Sequence, residues 1–254
     1  MSVLVISNRK GGAGKTTVSV NLAAEFAARG RRILLVDLDS QGHCAVGVGI
    51  KIEAGQATVH DVFTQSNFSL TNAIQETSIP NLFLLPANPT FEHHSSGYDE
   101  KCLARTFSQE SITSKFDLIV IDTPPSLDNL LLNALHIADW VLIPYLPHPL
   151  SFEGVRQLVR VLFKVISKDN PKLKILGFLP VMTATNIRQH KQITEQVTKQ
   201  FGALRVLNGI RTDIKLAEAF AAKKTIRFYA PKSRGAEDFA NLAEQLLSSI
   251  FGTT

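Results

Sequence analysis

The chain has 254 residues, 44% of them apolar, enough for one large α/β domain or two small ones with an ordinary globular core. No apolar run approaches the roughly 20 residues of a membrane span, and the N-terminal segment lacks the basic n-region of a signal peptide. Cys44 and Cys102 are far apart in sequence and lack a CxxC spacing, so the expectation is a cytoplasmic protein with reduced thiols.

Charge is unevenly spread. Residues 1–147 carry 10 Lys+Arg against 14 Asp+Glu, a net −4, whereas residues 148–254 carry 17 against 8, a net +9. A basic half suits an anionic partner such as nucleic acid; a Lys-rich solvated surface gives the same count.

In chain order, residues 3–7 form a continuous apolar run, the pattern of a strand buried on both faces of a parallel sheet. A glycine-rich turn follows. Residues 16–29 then repeat apolar positions at helical spacing, with Val18, Leu22 and Phe26 on one stripe, and Gly30 supplies a stop. Residues 32–37 read as the second strand of a βαβ unit. Further strands are expected at 81–86, 117–122, 140–144 and 174–180, and helices at 151–167, 187–201 and 235–251. This alternation predicts a single α/β domain, a mostly parallel twisted sheet with helices on both faces. The stretch 52–114 is polar and irregular, with short helices expected at 59–64 and 70–76, and reads as a looser peripheral region.

The glycine-rich turn is a P-loop: Lys10, Gly11, Gly12, Ala13, Gly14, Lys15, Thr16 and Thr17 lie between a strand and a helix. The glycines let successive backbone N–H groups converge on phosphate oxygens, and the helix N-terminus adds its dipole. Lys15 supplies charge at the β- and γ-phosphates, and the Thr16 hydroxyl is a Mg²⁺ ligand. ATP and Mg²⁺ are therefore the expected cofactors. Asp37 and Asp39 close the second strand at its carboxyl end, where open α/β sheets bind ligands. One carboxylate there can organise the waters of the metal, and another can polarise an attacking water. Asp122 ends a third apolar strand, in place to hold Mg²⁺ through water.

Arg9 stands where the ordinary P-loop pattern has its first glycine, and a second lysine, Lys10, opens the loop. Here the chain resembles the ParA/MinD group of ATPases, whose deviant Walker A motif reads KGGxGK[ST]. The resemblance implies that Lys10 reaches across a homodimer interface to the partner's nucleotide, by arginine-finger logic. The segment Asp37-Leu38-Asp39-Ser40-Gln41-Gly42 is similar to the family's DxDPQG, with Ser40 in place of Pro, and implies that Asp39 is needed for hydrolysis. Residues 118–126 look like the family's Walker B segment, and residues 210–219 with 228–236 like its C-terminal pattern. By the same resemblance Asn186, Asp213 and Pro231 are candidate adenine contacts, although each is equally compatible with a backbone role in a loop.

What the resemblance implies is a ParA-type partitioning ATPase. An ATP-sandwich homodimer holds nucleoid DNA without sequence preference and positions a cargo. A ParB-like or other cargo-bound adaptor stimulates hydrolysis. Lys215, Arg188 and Lys224 lead the candidates for DNA contact. The alternative is a MinD- or FlhG-like membrane ATPase. That class needs a basic amphipathic C-terminal helix, whereas residues 235–251 carry Glu237, Asp238 and Glu244 without Lys or Arg. A cluster-bearing reductase on this scaffold would need cysteines at other positions. The chain opens directly on its first strand, so no N-terminal helix-turn-helix domain is expected.

Overall fold

The computed structural model describes residues 2–65, 68–92, 99–184 and 186–252. Strand β1 (Ser2–Ile6) runs into the P-loop and helix α1 (Lys15–Ala28), then β2 (Ile33–Asp37) and the short α2 (His43–Val48). A two-residue β3 (Gln75–Glu76) precedes β4 (Leu82–Leu85), α3 (Cys102–Gln109), β5 (Leu118–Asp122), α4 (Asn129–Ile137) and β6 (Trp140–Tyr145). The second half contains α5 (Pro149–Lys168), β7 (Lys174–Thr183), α6 (Arg188–Phe201), β8 (Ile210–Arg211), α7 (Ile214–Ala221), α8 (Ile226–Tyr229) and α9 (Arg234–Phe251).

Among the described residues the strands form one sheet in the order β3-β4-β2-β5-β1-β6-β7-β8. Every neighbouring pair is parallel except β3 with β4. Side chains alternate across a strand, so a buried parallel strand must be apolar on both faces. In β1, Val3 and Val5 enter the core beneath α4 and α5, while Leu4 and Ile6 enter the opposite core with α1 and α9. The parallel sheet covered by helices on both faces is the architecture anticipated from the alternating pattern.

The stretch 52–114 is less peripheral than its polarity suggested. It contributes β3 and β4 to the sheet, and Val59, Val62, Leu70, Leu103, Phe107 and Ile112 are buried in the core. These apolar residues are too widely spaced to give a periodic signal. Val59–Phe63 is a 3₁₀ turn close to expectation, whereas the helix expected over 70–76 is a 3₁₀ turn at Leu70–Ala73 that gives way to the edge strand β3.

Candidate functional site

At the end of β1 the chain is fastened to β6 before it turns. The Ser7 N–H donates to the Leu142 carbonyl, and the Asn8 amide donates to the Pro144 carbonyl over 2.6 Å. Asn8 Oδ1 then accepts the Lys10 N–H at 3.0 Å, folding the loop back over the strand end. Gly12 and Gly14 follow with φ of 72° and 74°, a region that L side chains rarely adopt. The result is a loop whose backbone leads into the head of α1, where first-turn N–H groups have no intrahelical acceptor. A cleft of about 700 Å³ opens there, lined by residues 11–17, Asp39, Ser40, Gln41, His43 and residues 124–126.

Beneath it lie two carboxylates. Asp37 and Asp122 occupy facing positions at the ends of β2 and β5, and both are fully buried. Asp122 accepts the Thr16 hydroxyl at 2.6 Å and the Ser19 hydroxyl at 2.8 Å. Asp37 accepts the Cys44 N–H at 2.9 Å and the Asp39 N–H at 3.1 Å. Burial, then the neighbouring Asp122 charge, pushes the Asp37 carboxyl well above the usual carboxylate range. Burial also raises Asp122, against the opposing pull of the Thr16 and Ser19 hydroxyls and the Lys15 charge. Burial lowers the pKa of Lys15, with Asp122 and Asp39 acting in the opposite direction.

Two buried acids facing each other with a hydroxyl on one of them form an oxygen-donor set that suits Mg²⁺. Burial of both acids, with the Asp122 charge added at Asp37, favours a proton or a cation beside them. Donor atoms of Asp37, Asp122 and Cys44 lie within 4.8 Å of one another. Asp39 stands apart from the buried pair. It is half-buried at the cleft wall, with Oδ1 accepting the Gln41 N–H at 3.1 Å. Thr123 anchors the turn after β5 by donating to the Ile6 carbonyl at 2.9 Å.

Lys10 is half-buried beside α5, where its Cβ is 3.8 Å from the position a Cβ on Gly154 would take. It does not line the cleft of its own chain. Its neighbour Arg9 donates to Gln157 on α5 at 3.0 Å.

A second, mostly apolar cavity of about 550 Å³ adjoins the cleft, sharing Gly14, Thr16, Thr17 and His43 with it. Asp213 borders this cavity, but its carboxylate also accepts the N–H groups of Lys215 and Gly235, joining α7 to α9. Burial acts to raise its pKa, yet those amides and Arg234 hold it below the usual range. Asn186 is exposed in the turn before α6, and Pro231 lines a separate cavity of about 290 Å³ with Glu25 and Arg227. Neither lines the cleft or the apolar cavity. Lys215, Arg188 and Lys224 are all exposed, and Lys215 is paired with Glu218 at 2.7 Å.

Several residues of the site were not anticipated. Ser19 carried a signal, since three residues after Thr16 on a helix is the same face. Asn8 and Cys44 carried none, because their contacts are to backbone or to residues distant in sequence.

An AAA domain family model matches residues 1–175. The chain is 35% identical over 248 residues to the chromosome-partitioning ATPase Soj of Thermus thermophilus, covering 97% of this chain and 96% of that one. It is 33% identical to the chromosome partitioning protein ParA of Myxococcus xanthus, covering 96% and 87%. Among solved structures, a cobyrinic acid a,c-diamide synthase from Mycobacterium smegmatis with bound ATP analog and magnesium superimposes with a TM-score of 0.82. That match has 29% identity and covers 98% of this chain and 95% of the other. With its P-loop, paired strand-end acids and near full-length similarity to these partitioning proteins, the chain belongs to the ParA/Soj family of deviant Walker A ATPases.

Proposed function

We propose that the chain binds and hydrolyses Mg-ATP in the 700 Å³ cleft and uses the ATP state to form a DNA-binding homodimer that positions a cargo. The observation that carries this reading is the convergence of Lys15, Thr16 and Asp39 on one cleft, with Asp122 bonded to Thr16 directly beneath it. P-loop amides from residues 11–17 and the Lys15 ammonium hold the phosphates. The Thr16 hydroxyl, Asp122 and Asp37 would hold Mg²⁺, which would supply positive charge against that developing on the phosphates. Asp39, nearer the solvent, orients and polarises the attacking water. Lys10 lies outside its own cleft, which supports a role on a partner's nucleotide in a sandwich dimer. The apolar cavity beside Thr17 accommodates the base, with Asp213 at its edge; Asn186 and Pro231 remain adenine candidates only if their loops close on it.

DNA binding would rest on the basic C-terminal half, with Lys215, Arg188 and Lys224 as phosphate contacts. An adaptor on the cargo, ParB-like or otherwise, would accelerate hydrolysis and release the DNA. The membrane-bound alternative fits less well. Phe239, Leu242, Leu246 and Ile250 of α9 are buried against the body, leaving no apolar face on that helix for a bilayer. Among the described residues no helix is long and apolar enough to cross a membrane. The test is sedimentation with unrelated DNA duplexes, and separately with anionic liposomes, in ATP, ADP and no nucleotide. The reading expects DNA retention in ATP alone, independent of sequence and steeply weakened by salt. Retention without nucleotide, or on liposomes in place of DNA, would overturn it.

A further inference from the structure

The peptide unit that joins Leu38 to Asp39 is gripped at both ends. Its N–H donates to Asp37 Oδ1 at 3.1 Å. Its carbonyl faces Nε2 of His60 at 3.2 Å. His60 is 1% exposed, and its other ring nitrogen, Nδ1, accepts the Asn88 N–H at 2.9 Å. A nitrogen that accepts from an amide carries no proton, so the proton sits on Nε2 and is donated to Leu38. The ring lies flat on Phe91, with centroids 4.3 Å apart and planes 13° from parallel.

The surroundings hold the imidazole in place. Thr58 and Asp61 bracket the turn that carries it, Asp61 accepting both the Thr58 N–H and its hydroxyl. The Val59 N–H donates to the Pro86 carbonyl at the end of β4. The 88–91 turn is closed by Phe91 N–H to Asn88 carbonyl, and its Pro89 stands 3.5 Å from the position a Cβ on Gly42 would take. Thus the 88–91 turn is joined to the Asp39 loop through His60, and its Pro89 lies close to Gly42.

We propose that His60 is a positioning residue for ATP hydrolysis: its Nε2–H fixes the Leu38–Asp39 peptide plane and so aims the Asp39 carboxylate into the cleft. The proposal rests on the reading of Asp39 as the residue that orients water. His60 touches no reacting group and acts only through the backbone of Leu38. Rotation of that peptide would swing Asp39 and loosen one of the two amides on Asp37, while leaving the P-loop and the Thr16–Asp122 pair where they are. The effect therefore falls on turnover and spares ATP binding.

The test compares the unaltered chain with His60→Phe, which keeps the stack on Phe91 and removes both hydrogen bonds, and with His60→Gln, whose amide can donate to Leu38 and accept from Asn88. ATP hydrolysis and amide hydrogen exchange of residues 38–43 are measured together on each. We expect His60→Phe to lower kcat about tenfold with KM changed less than about threefold. Exchange in residues 38–43 should quicken, and His60→Gln should restore both readouts to within about threefold. A folded His60→Phe protein with unaltered kcat, or a kcat loss without faster exchange, overturns the proposal. If the unaltered chain fails to hydrolyse ATP, the ATPase reading falls; unchanged exchange in His60→Phe would then separately remove the role of His60 in holding the loop.

Discussion

Thr16 and Asp122 are joined by a hydroxyl-to-carboxylate hydrogen bond of 2.6 Å that links the head of α1 to the end of β5. The oxygens proposed to hold Mg²⁺ are thereby fixed relative to each other, because the same Asp122 is steadied on its other oxygen by Ser19. Thr16→Ala removes both a proposed ligand and this restraint. We expect the Mg²⁺ concentration for half-maximal ATP hydrolysis to rise about 10–100-fold, the usual cost of losing a group that orients a metal ligand. Thr16→Ser should stay near the unaltered value in the same titration.

Lys15 is buried in the cleft wall, with its charged form disfavoured by desolvation against the pull of Asp122 and Asp39. Bound phosphates would supply the negative charge it lacks. Lys15→Met should weaken ATP binding at least about 30-fold, the lower end of the range for truncating one member of a buried charge pair. The fold should persist, since a linear apolar side chain replaces a desolvated ammonium. Binding of a fluorescent ATP analogue and a thermal melt decide the two parts separately; near-normal affinity would contradict the assignment of the P-loop.

The raised carboxyls of Asp37 and Asp122 set a direction for pH dependence. In the folded chain they keep protons that the unfolded chain releases near pH 4. Their contribution to stability is therefore complete below the unfolded value and is lost as pH rises through the folded ones. The melting temperature of nucleotide-free protein should fall over that rise more than that of Asp37→Ala does. Mg-ATP replaces protons with divalent charge, so it should stabilise more strongly at the upper end of the range. Melting curves in matched buffers, with and without Mg-ATP, measure both slopes.

Lys215 and Arg188 are exposed in the first turns of α7 and α6, and Lys224 is exposed in the turn between α7 and α8, all in the basic half of the chain. Replacing any one with Glu should weaken DNA retention in ATP for all sequences alike. Each true phosphate contact should lower the slope of log affinity against log salt by about one. A variant that keeps the slope is not a contact. Lys215 has a competing partner in Glu218, so Glu218→Gln should strengthen DNA binding if Lys215 participates.

Much of this site is legible in the sequence because its chemistry sits at strand ends. An apolar run that stops at Asp37 or Asp122 marks both the strand and the place where its carboxylate emerges, and the glycines before Lys15 mark the turn. The rest depends on contacts between segments far apart in the chain. His60 reads as one histidine in a polar stretch; only the folded chain brings it under Leu38 and against Asn88. β3 and β8 are two residues each and α2 is six, too short for periodicity to reveal. Asp213 looked like a nucleotide contact, and the structure shows that it also caps α7 and ties it to α9.

The most direct test of the account is Asp39→Ala, assayed for ATP hydrolysis and, by sedimentation velocity, for mass in ATP and in ADP. A side chain that acts on the attacking water can be removed without disturbing Lys15, Thr16 or Asp122. The account predicts that the variant binds ATP, forms a dimer in ATP but not in ADP, and hydrolyses ATP at least about 100-fold more slowly than the unaltered chain. Hydrolysis at the unaltered rate, or a mass that ignores the nucleotide, would contradict it.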